Sequence, residues 1–260
     1  MATLHDVRCF LLDMDGTFYL GDNLIEGSLE FIRAVQDSGR DFLFLTNNSS
    51  HSAAHYVKKL ARMGLNVPPE KVLTSGQATA LKCRALHPRK RAFVLGNRFL
   101  FDELTEGGIP IDQETPEYVI IGYDTTLDYA KMTAVCDFVR AGLPYVATHP
   151  DFNCPTETGF APDIGAIIAF IEASTGRRPD LIVGKPHQGI VDAALDRTGF
   201  QPDQLAMVGD RLYTDVATGL AHGMLSILVL SGETTPEMAK ESDIKPHLTY
   251  DRLSDMIGAL

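Results

Sequence analysis

Short, wholly apolar runs alternate along the chain with longer stretches whose apolar residues return every three or four positions. VRCFLLD (7–13) is followed by SLEFIRAVQDSG (28–39), DFLFLT (41–46) by SAAHYVKKLARMG (52–64), which is a strand–helix–strand–helix rhythm. Gly39 and Gly64 stand where left-handed C-terminal caps are expected, and the strands have no polar face to offer to water. The pattern therefore predicts a parallel sheet covered by helices on both sides. It continues through RAFVLG (91–96), YVIIGYD (118–124), the helical YAKMTAVCDFVRAG (129–142) and PYVAT (144–148). After a polar loop come DLIVG (180–184), QLAMVGD (204–210) and MLSILVL (224–230), more strands than one small sheet holds. No internal repeat or low-complexity linker marks a boundary. The segments TSGQATA (74–80) and TGRRPD (175–180) are expected to be hinges.

Composition narrows the class. With 260 residues, 45% hydrophobic and 22% charged, the chain reads as a folded globular protein of one large or two moderate domains. Its net charge of −11 argues against a nucleic acid or an anionic membrane as partner, so an anionic ligand would need a local cation. Cys9, Cys83, Cys136 and Cys154 are widely spaced, which gives neither a zinc knuckle nor a disulfide framework and suits a reducing cytoplasm. No export signal is visible at the N-terminus, and IGAIIAFI (164–171) and MLSILVL are too short to span a bilayer.

Four strand ends carry the chemistry. In FLLDMDG, Asp13 and Asp15 leave the same face of an extended chain and Gly16 lets it turn, beyond the carboxyl end of a core strand where α/β sheets bind ligands. Such a pair can hold a divalent cation and still provide a nucleophile and an acid or base. Taken alone, DMDG is equally well a strand-to-helix turn. FLFLTNNS places Thr46 and Asn47 at a second rim, where an N-cap cluster is the common alternative. LIVGKP offers Lys185, whose ammonium could neutralise phosphate charge, though Gly-Lys-Pro by itself usually means a surface turn. LAMVGDRLYTDV adds Asp210 at a strand end and Asp215 five residues on. The weight lies in the order: acids, hydroxyl, lysine and acids at four rims in turn.

In that order the segments DMDGT, TNN, GKP and GDRLYTD resemble the four motifs of the haloacid dehalogenase (HAD) superfamily of aspartate-nucleophile phosphatases. The similarity is closest to its NagD-like and 4-nitrophenylphosphatase-like subgroup (class IIA, with a C2-type cap), in LDMDGTFYLGDNLIEGS, FLTNNSS, VGKP and MVGDRLYTD, and it covers essentially the whole chain. The resemblance implies a Rossmann-like, doubly wound parallel sheet core at 1–79 and 181–260, with an inserted α/β cap domain at 80–180 that closes over the site and excludes water.

The resemblance also implies roles. Asp13 would attack phosphorus to give an aspartyl-phosphate, while Asp15 protonates the leaving oxygen and then activates water. Mg2+ would be held by the Asp13 carboxylate, the Asp15 carbonyl and Asp210, with Asp215 orienting its waters. Thr46, the Asn47 backbone and Lys185 would grip the phosphoryl group, so that one metal and one lysine supply the positive field this acidic chain otherwise lacks. Tyr213 departs from the subgroup, which commonly has a second acid there; altered tuning of the metal site is expected, not its loss.

The expected activity is Mg2+-dependent hydrolysis of small phosphate monoesters, sugar phosphates or nucleotides, in the cytoplasm, with a homo-oligomer left open. A phosphotransferase or mutase using the same intermediate is the close alternative. A non-catalytic phosphometabolite-binding regulator is disfavoured because every catalytic position is filled, and a receiver-like phosphoacceptor because such domains lack a cap. Carbon–halogen displacement has no need of this acid set. In the polar loop HPDFNCPTETGFAPD (149–163), Phe152, Asn153 and Glu157 are candidate substrate contacts, while Asp163 reads as the N-cap of the helix IGAIIAFIEA. His51 and His55 have i, i+4 spacing but no third ligand nearby, so a solvated helix start is the better reading.

Overall fold

The apolar tetrad Cys9–Leu12 is wholly buried and forms a central strand of a six-stranded sheet in the computed structural model, which describes residues 3–156 and 159–260. Strand order across the sheet is Leu248–Tyr250, Leu225–Val229, Leu205–Gly209, Cys9–Leu12, Asp41–Thr46 and Val72–Thr74. Cys9–Leu12 pairs in parallel with Asp41–Thr46 on one side and Leu205–Gly209 on the other. The chain thus winds outward in one direction and then in the other, the doubly wound order that the resemblance implied for the parallel sheet read from the pattern. Its switch point lies between Cys9–Leu12 and Leu205–Gly209, where such sheets bind ligands beyond the strands' carboxyl ends.

Two compact units divide the described chain. The first comprises Met1–Thr46, Ala53–Leu73 and Val191–Leu260; the second comprises Asn47–Ser52 and Thr74–Ile190. In the first, Phe10, Phe31, Phe18 and Phe44 anchor the core through edge-on ring contacts, and helix Ser28–Asp37 buries Phe31, Ile32 and Val35 there. The second has its own four-stranded sheet, in the order Leu181–Ile182, Tyr145–Ala147, Tyr118–Ile121, Ala92–Leu95, with all three pairings parallel. Helices Tyr129–Arg140 and Ile164–Thr175 bury Val135, Val139, Ile164 and Ile171 in the core of this unit. An antiparallel hairpin, Asn153–Thr156 with Gly159–Pro162, precedes the second of these helices. Gly39 and Gly64 take the positive φ values, 73° and 92°, that their C-cap positions require. Among the described residues no helix is long and apolar enough to cross a membrane, and all four cysteines are free thiols.

Hydrogen bonds hold both segments expected as hinges, the first of which begins at a unit boundary while the second lies inside the second unit. Residues 75–80 begin the helix Ser75–Leu86, capped by Thr74, whose hydroxyl accepts the Gln77 N–H at 3.0 Å and donates to Glu103 at 2.7 Å. Gly76 is small for packing reasons: a Cβ there would lie 2.4 Å from Glu103 Oε2. In 175–180, Gly176 ends a helix with φ 73°, Arg177 donates to the Val139 and Leu143 carbonyls, and Asp180 accepts the Tyr145 N–H. Pairing of Leu181–Ile182 with Tyr145–Ala147 then keeps this segment inside the second unit. Thr74→Ala is expected to lower stability by about 2 kcal/mol, one cap bond plus a buried carboxylate partner, as read from the urea midpoint.

Candidate active site

Extended backbone carries the chain one residue past Cys9–Leu12, with the Asp13 N–H on the Val208 carbonyl at 2.9 Å. Met14 turns into the core, so Asp13 and Asp15 are presented away from it, as the i, i+2 spacing predicts. The Met14 carbonyl then accepts the N–H groups of Thr17, Phe18 and Tyr19, and Gly16, at φ 90°, makes the turn. A side chain at Gly16 would strike Asp210: a Cβ there would lie 2.4 Å from its Oδ2.

Asp210 follows strand Leu205–Gly209, and Asp215 lies on the single π-helical turn Leu212–Val216 that begins the next helix, a distortion often found at functional sites. One oxygen from each of Asp13, Asp210 and Asp215 lies within 4.8 Å of the others, and Asp210 and Asp215 are buried. Burial and then the charge of Asp215 hold the Asp210 carboxyl above its ordinary range. Two buried like charges beside a third repel one another, a cost that a cation among them removes, and three hard oxygens are the donor set of Mg2+ or Ca2+. The residues present therefore fit a divalent metal. Among the described residues this is the one cluster of three or more metal-ligating side chains.

Asp15 differs from its neighbours. Burial raises its carboxyl pKa, against the opposing pull of Lys59 and of a hydrogen bond from the Gly21 backbone. Lys59, from helix Ala53–Arg62, lies 3.9 Å over the Tyr19 ring and 3.9 Å from Asp22.

Several supports escaped the sequence reading. Thr17 Oγ1 donates to Asp210 Oδ1 at 3.3 Å, and the Glu233 N–H donates to Asp210 Oδ2 at 2.7 Å. Glu233 also accepts from Arg211 at 3.0 Å and from the Tyr213 hydroxyl at 3.3 Å, so an acid reaches the Tyr213 position from another loop. A Cβ at Gly232 would lie 2.1 Å from Asp210 Oδ2, and one at Gly209 2.2 Å from Asp215 Cγ. The GD and SGE sequences at two adjacent strand ends were the available signal: glycine permits the backbone to crowd a carboxylate.

Thr46 ends its strand with its side chain largely buried. In the second unit the structure joins Asn47 to Lys185, but through the side chain of one and the backbone of the other. Asn47 Oδ1 accepts the Lys185 N–H at 2.7 Å, and Asn47 Nδ2 donates to the Lys185 carbonyl at 3.0 Å. Lys185, 2% exposed, follows an edge strand of the four-stranded sheet, not of the sheet that carries Asp13. Phe152 and Phe160 are exposed at the hairpin, Asn153 is exposed, and Glu157 lies outside the described residues. Asp163 does cap helix Ile164–Thr175. His51 precedes helix Ala53–Arg62, so it and His55 do not share a helical face; their rings meet Phe99 and Tyr56 respectively.

Two family models match the chain, one described as haloacid dehalogenase-like hydrolase over residues 10–110 and a HAD-hydrolase-like one over 182–256. An acid sugar phosphatase of Staphylococcus haemolyticus is 37% identical over 258 residues, 99% of this chain and 98% of that protein. The crystal structure of a 4-nitrophenylphosphatase from Thermotoga maritima superposes with a TM-score of 0.95 at 47% identity, covering 97% of each chain. NagD from Escherichia coli K-12 matches with a TM-score of 0.88 at 31% identity, over 96% of this chain and 98% of that one.

Proposed function

The chain belongs to the haloacid dehalogenase-like hydrolase family and is similar to NagD and the 4-nitrophenylphosphatases, and from that premise we propose that it is a divalent-metal-dependent phosphatase of small phosphate monoesters, sugar phosphates foremost. The observation that carries this reading is the convergence of Asp13, Asp210 and Asp215 at the sheet's switch point. The names of the relatives, acid sugar phosphatase and 4-nitrophenylphosphatase, supply the substrate class.

Mg2+ held by Asp13, Asp210 and the Asp15 carbonyl, with Asp215 beside them, would draw negative charge from a phosphoryl oxygen. Asp13 forms the new O–P bond as the substrate's O–P bond breaks, leaving an aspartyl-phosphate. Asp15, whose carboxyl pKa burial shifts upward, gives its proton to the departing alkoxide. The resulting carboxylate then takes a proton from water, whose oxygen attacks phosphorus, releases inorganic phosphate and restores both acids. Thr46, the Asn47 N–H and the Lys185 ammonium are assigned to the phosphoryl oxygens, where fixed donors stabilise developing charge.

Inorganic phosphate release from a panel of sugar phosphates, nucleotides and 4-nitrophenyl phosphate, with Mg2+ and with chelator, tests the proposal. Release from small esters that chelator abolishes and Mg2+ restores is expected. Release indifferent to chelator would remove the metal from the reading, and no release from any ester would remove the phosphatase.

A further inference from the structure

We propose that Asp151 is a positioning residue for Lys185, acting through the Asn47 carboxamide; this rests on the assignment of the Lys185 ammonium to the phosphoryl group. All the groups concerned lie in the second unit. Asn47 exchanges hydrogen bonds with both peptide groups of Lys185, at 2.7 Å and 3.0 Å, much as a neighbouring strand would. That exchange fixes the lysine backbone only if the carboxamide keeps one of its two orientations, because oxygen must face the Lys185 N–H and nitrogen its carbonyl.

Asp151 selects that orientation. Its Oδ2 accepts a second bond from Asn47 Nδ2, at 2.9 Å. An ionised carboxylate only accepts, so turning the amide over would set oxygen against oxygen there and N–H against N–H at Lys185. Asp151 is in turn held by its surroundings. His149, fully buried, places Nε2 3.9 Å from Asp151 Oδ2 and 3.1 Å from Asp163 Oδ1, with Nδ1 2.9 Å from the Thr148 hydroxyl. Thr148 shares a 3.0 Å hydrogen bond with Ser49, which accepts the Tyr123 N–H at 2.9 Å. Backbone bonds from Gly165 to the Asp151 carbonyl and from Gly184 to the Thr148 carbonyl, both 2.7 Å, close the arrangement.

The chain makes room for this contact at the expense of choice elsewhere. A Cβ at Gly184 would lie 2.7 Å from Asn47 Oδ1 and 2.8 Å from His149 Cβ. Two buried aspartates and a buried histidine are an expensive way to fill a core unless a polar task requires them. Asp163 caps helix Ile164–Thr175, but the packing of the four-stranded sheet gives Asp151 and His149 no comparable task, whereas a lysine held in one place does need a fixed carboxamide.

A double-mutant cycle with Lys185→Ala tests the link, using 4-nitrophenyl phosphate and kcat/KM as the readout. Asp151→Ala is expected to lower kcat/KM by roughly 10- to 100-fold, the scale on which partners that orient a functional group act. In the Lys185→Ala background the same change should add less than about a twofold loss, because the residue it acts through is gone. Asp151→Asn, which retains an acceptor oxygen for Asn47, should recover most of the loss. Equal losses from Asp151→Ala in both backgrounds, or an Asp151→Asn as impaired as the alanine variant, overturn the proposal. If Asp151→Ala does not accumulate folded, Asp151→Leu, which fills the space without an acceptor for Asn47 Nδ2, replaces it in the cycle, and the same comparison decides. Lys185→Ala alone reports on the underlying assignment: wild-type kcat/KM in that variant removes the role of the lysine and the inference with it. A large loss there, with an additive cycle, removes only the link from Asp151.

Discussion

Asp13→Asn is expected to lower kcat for every accepted ester by a factor on the order of 10⁶, the scale on which loss of a covalent nucleophile acts in hydrolases with an activated side chain. The substitution is isosteric, and the backbone bond from residue 13 to the Val208 carbonyl does not involve the side chain, so the fold should survive. A carboxamide cannot form the O–P bond, and it would also weaken the proposed cation site that Asp13 forms with Asp210 and Asp215. Asp15→Asn separates these effects. It leaves those three carboxylates intact and removes only the proposed proton donor, for which a loss of roughly 10²- to 10⁴-fold is expected. Steady-state phosphate release with purified variants, alongside a thermal melt of each, checks both. An Asp13→Asn enzyme within about tenfold of wild type would place the nucleophile elsewhere, on the same kinetic scale. Equal losses from Asp13→Asn and Asp15→Asn would mean that the two carboxyls do not divide the work as assigned.

Much of this was legible before any coordinates. CFLL, DFLFLT, LAMVG and LSILV are continuous apolar runs that suit a sheet buried on both faces, so the parallel, helix-covered sheet follows from pattern, and the resemblance added its doubly wound order. Asp13, Asp15 and Asp210 were visible because, with Thr46 and Lys185, they fall in order at successive strand ends, although each segment alone could be an ordinary turn. What sequence hid depends on pairing at long range. That Asn47 spends its carboxamide on Lys185 and Asp151, 138 and 104 positions away, has no local signature, nor does the bond from Thr17 to Asp210 across 193 positions. TSGQATA, expected as a hinge, does begin at a unit boundary, but it is helical, and its glycine leaves space for Glu103. Lys59 went unnoticed since the helical pattern of Ala53–Arg62 makes it one more surface lysine, and only the fold carries its charge to Asp15.

The acid cluster has a consequence for stability as large as its consequence for catalysis. Three carboxylate oxygens within 4.8 Å of one another, two of the groups buried, repel by about 3 kcal/mol per pair at the effective dielectric of roughly 20 that suits protein interiors. A divalent cation reverses that sign. Mg2+ at about 100 times its Kd should stabilise the folded chain by about 2.7 kcal/mol. For a chain of this size that is a rise in Tm of roughly 5 to 10 °C. Asp210→Asn is expected to do two things at once, measured by thermal melts at pH 8 with and without Mg2+. It should abolish the Mg2+-dependent rise, because one ligand charge is gone. It should also raise Tm by a few degrees in the presence of chelator, because relief of repulsion exceeds the roughly 1 kcal/mol at stake in the hydrogen bonds from Thr17 and Glu233, which an amide oxygen still accepts in part. A variant that melts lower than wild type in chelator and keeps the full response to Mg2+ would show that Asp210 is a structural acid held by Glu233 and Thr17, and that the cation, if bound, rests on other groups. The opposite pattern, more stable without metal and blind to it, is the mark of a carboxylate retained for its charge at the expense of the fold.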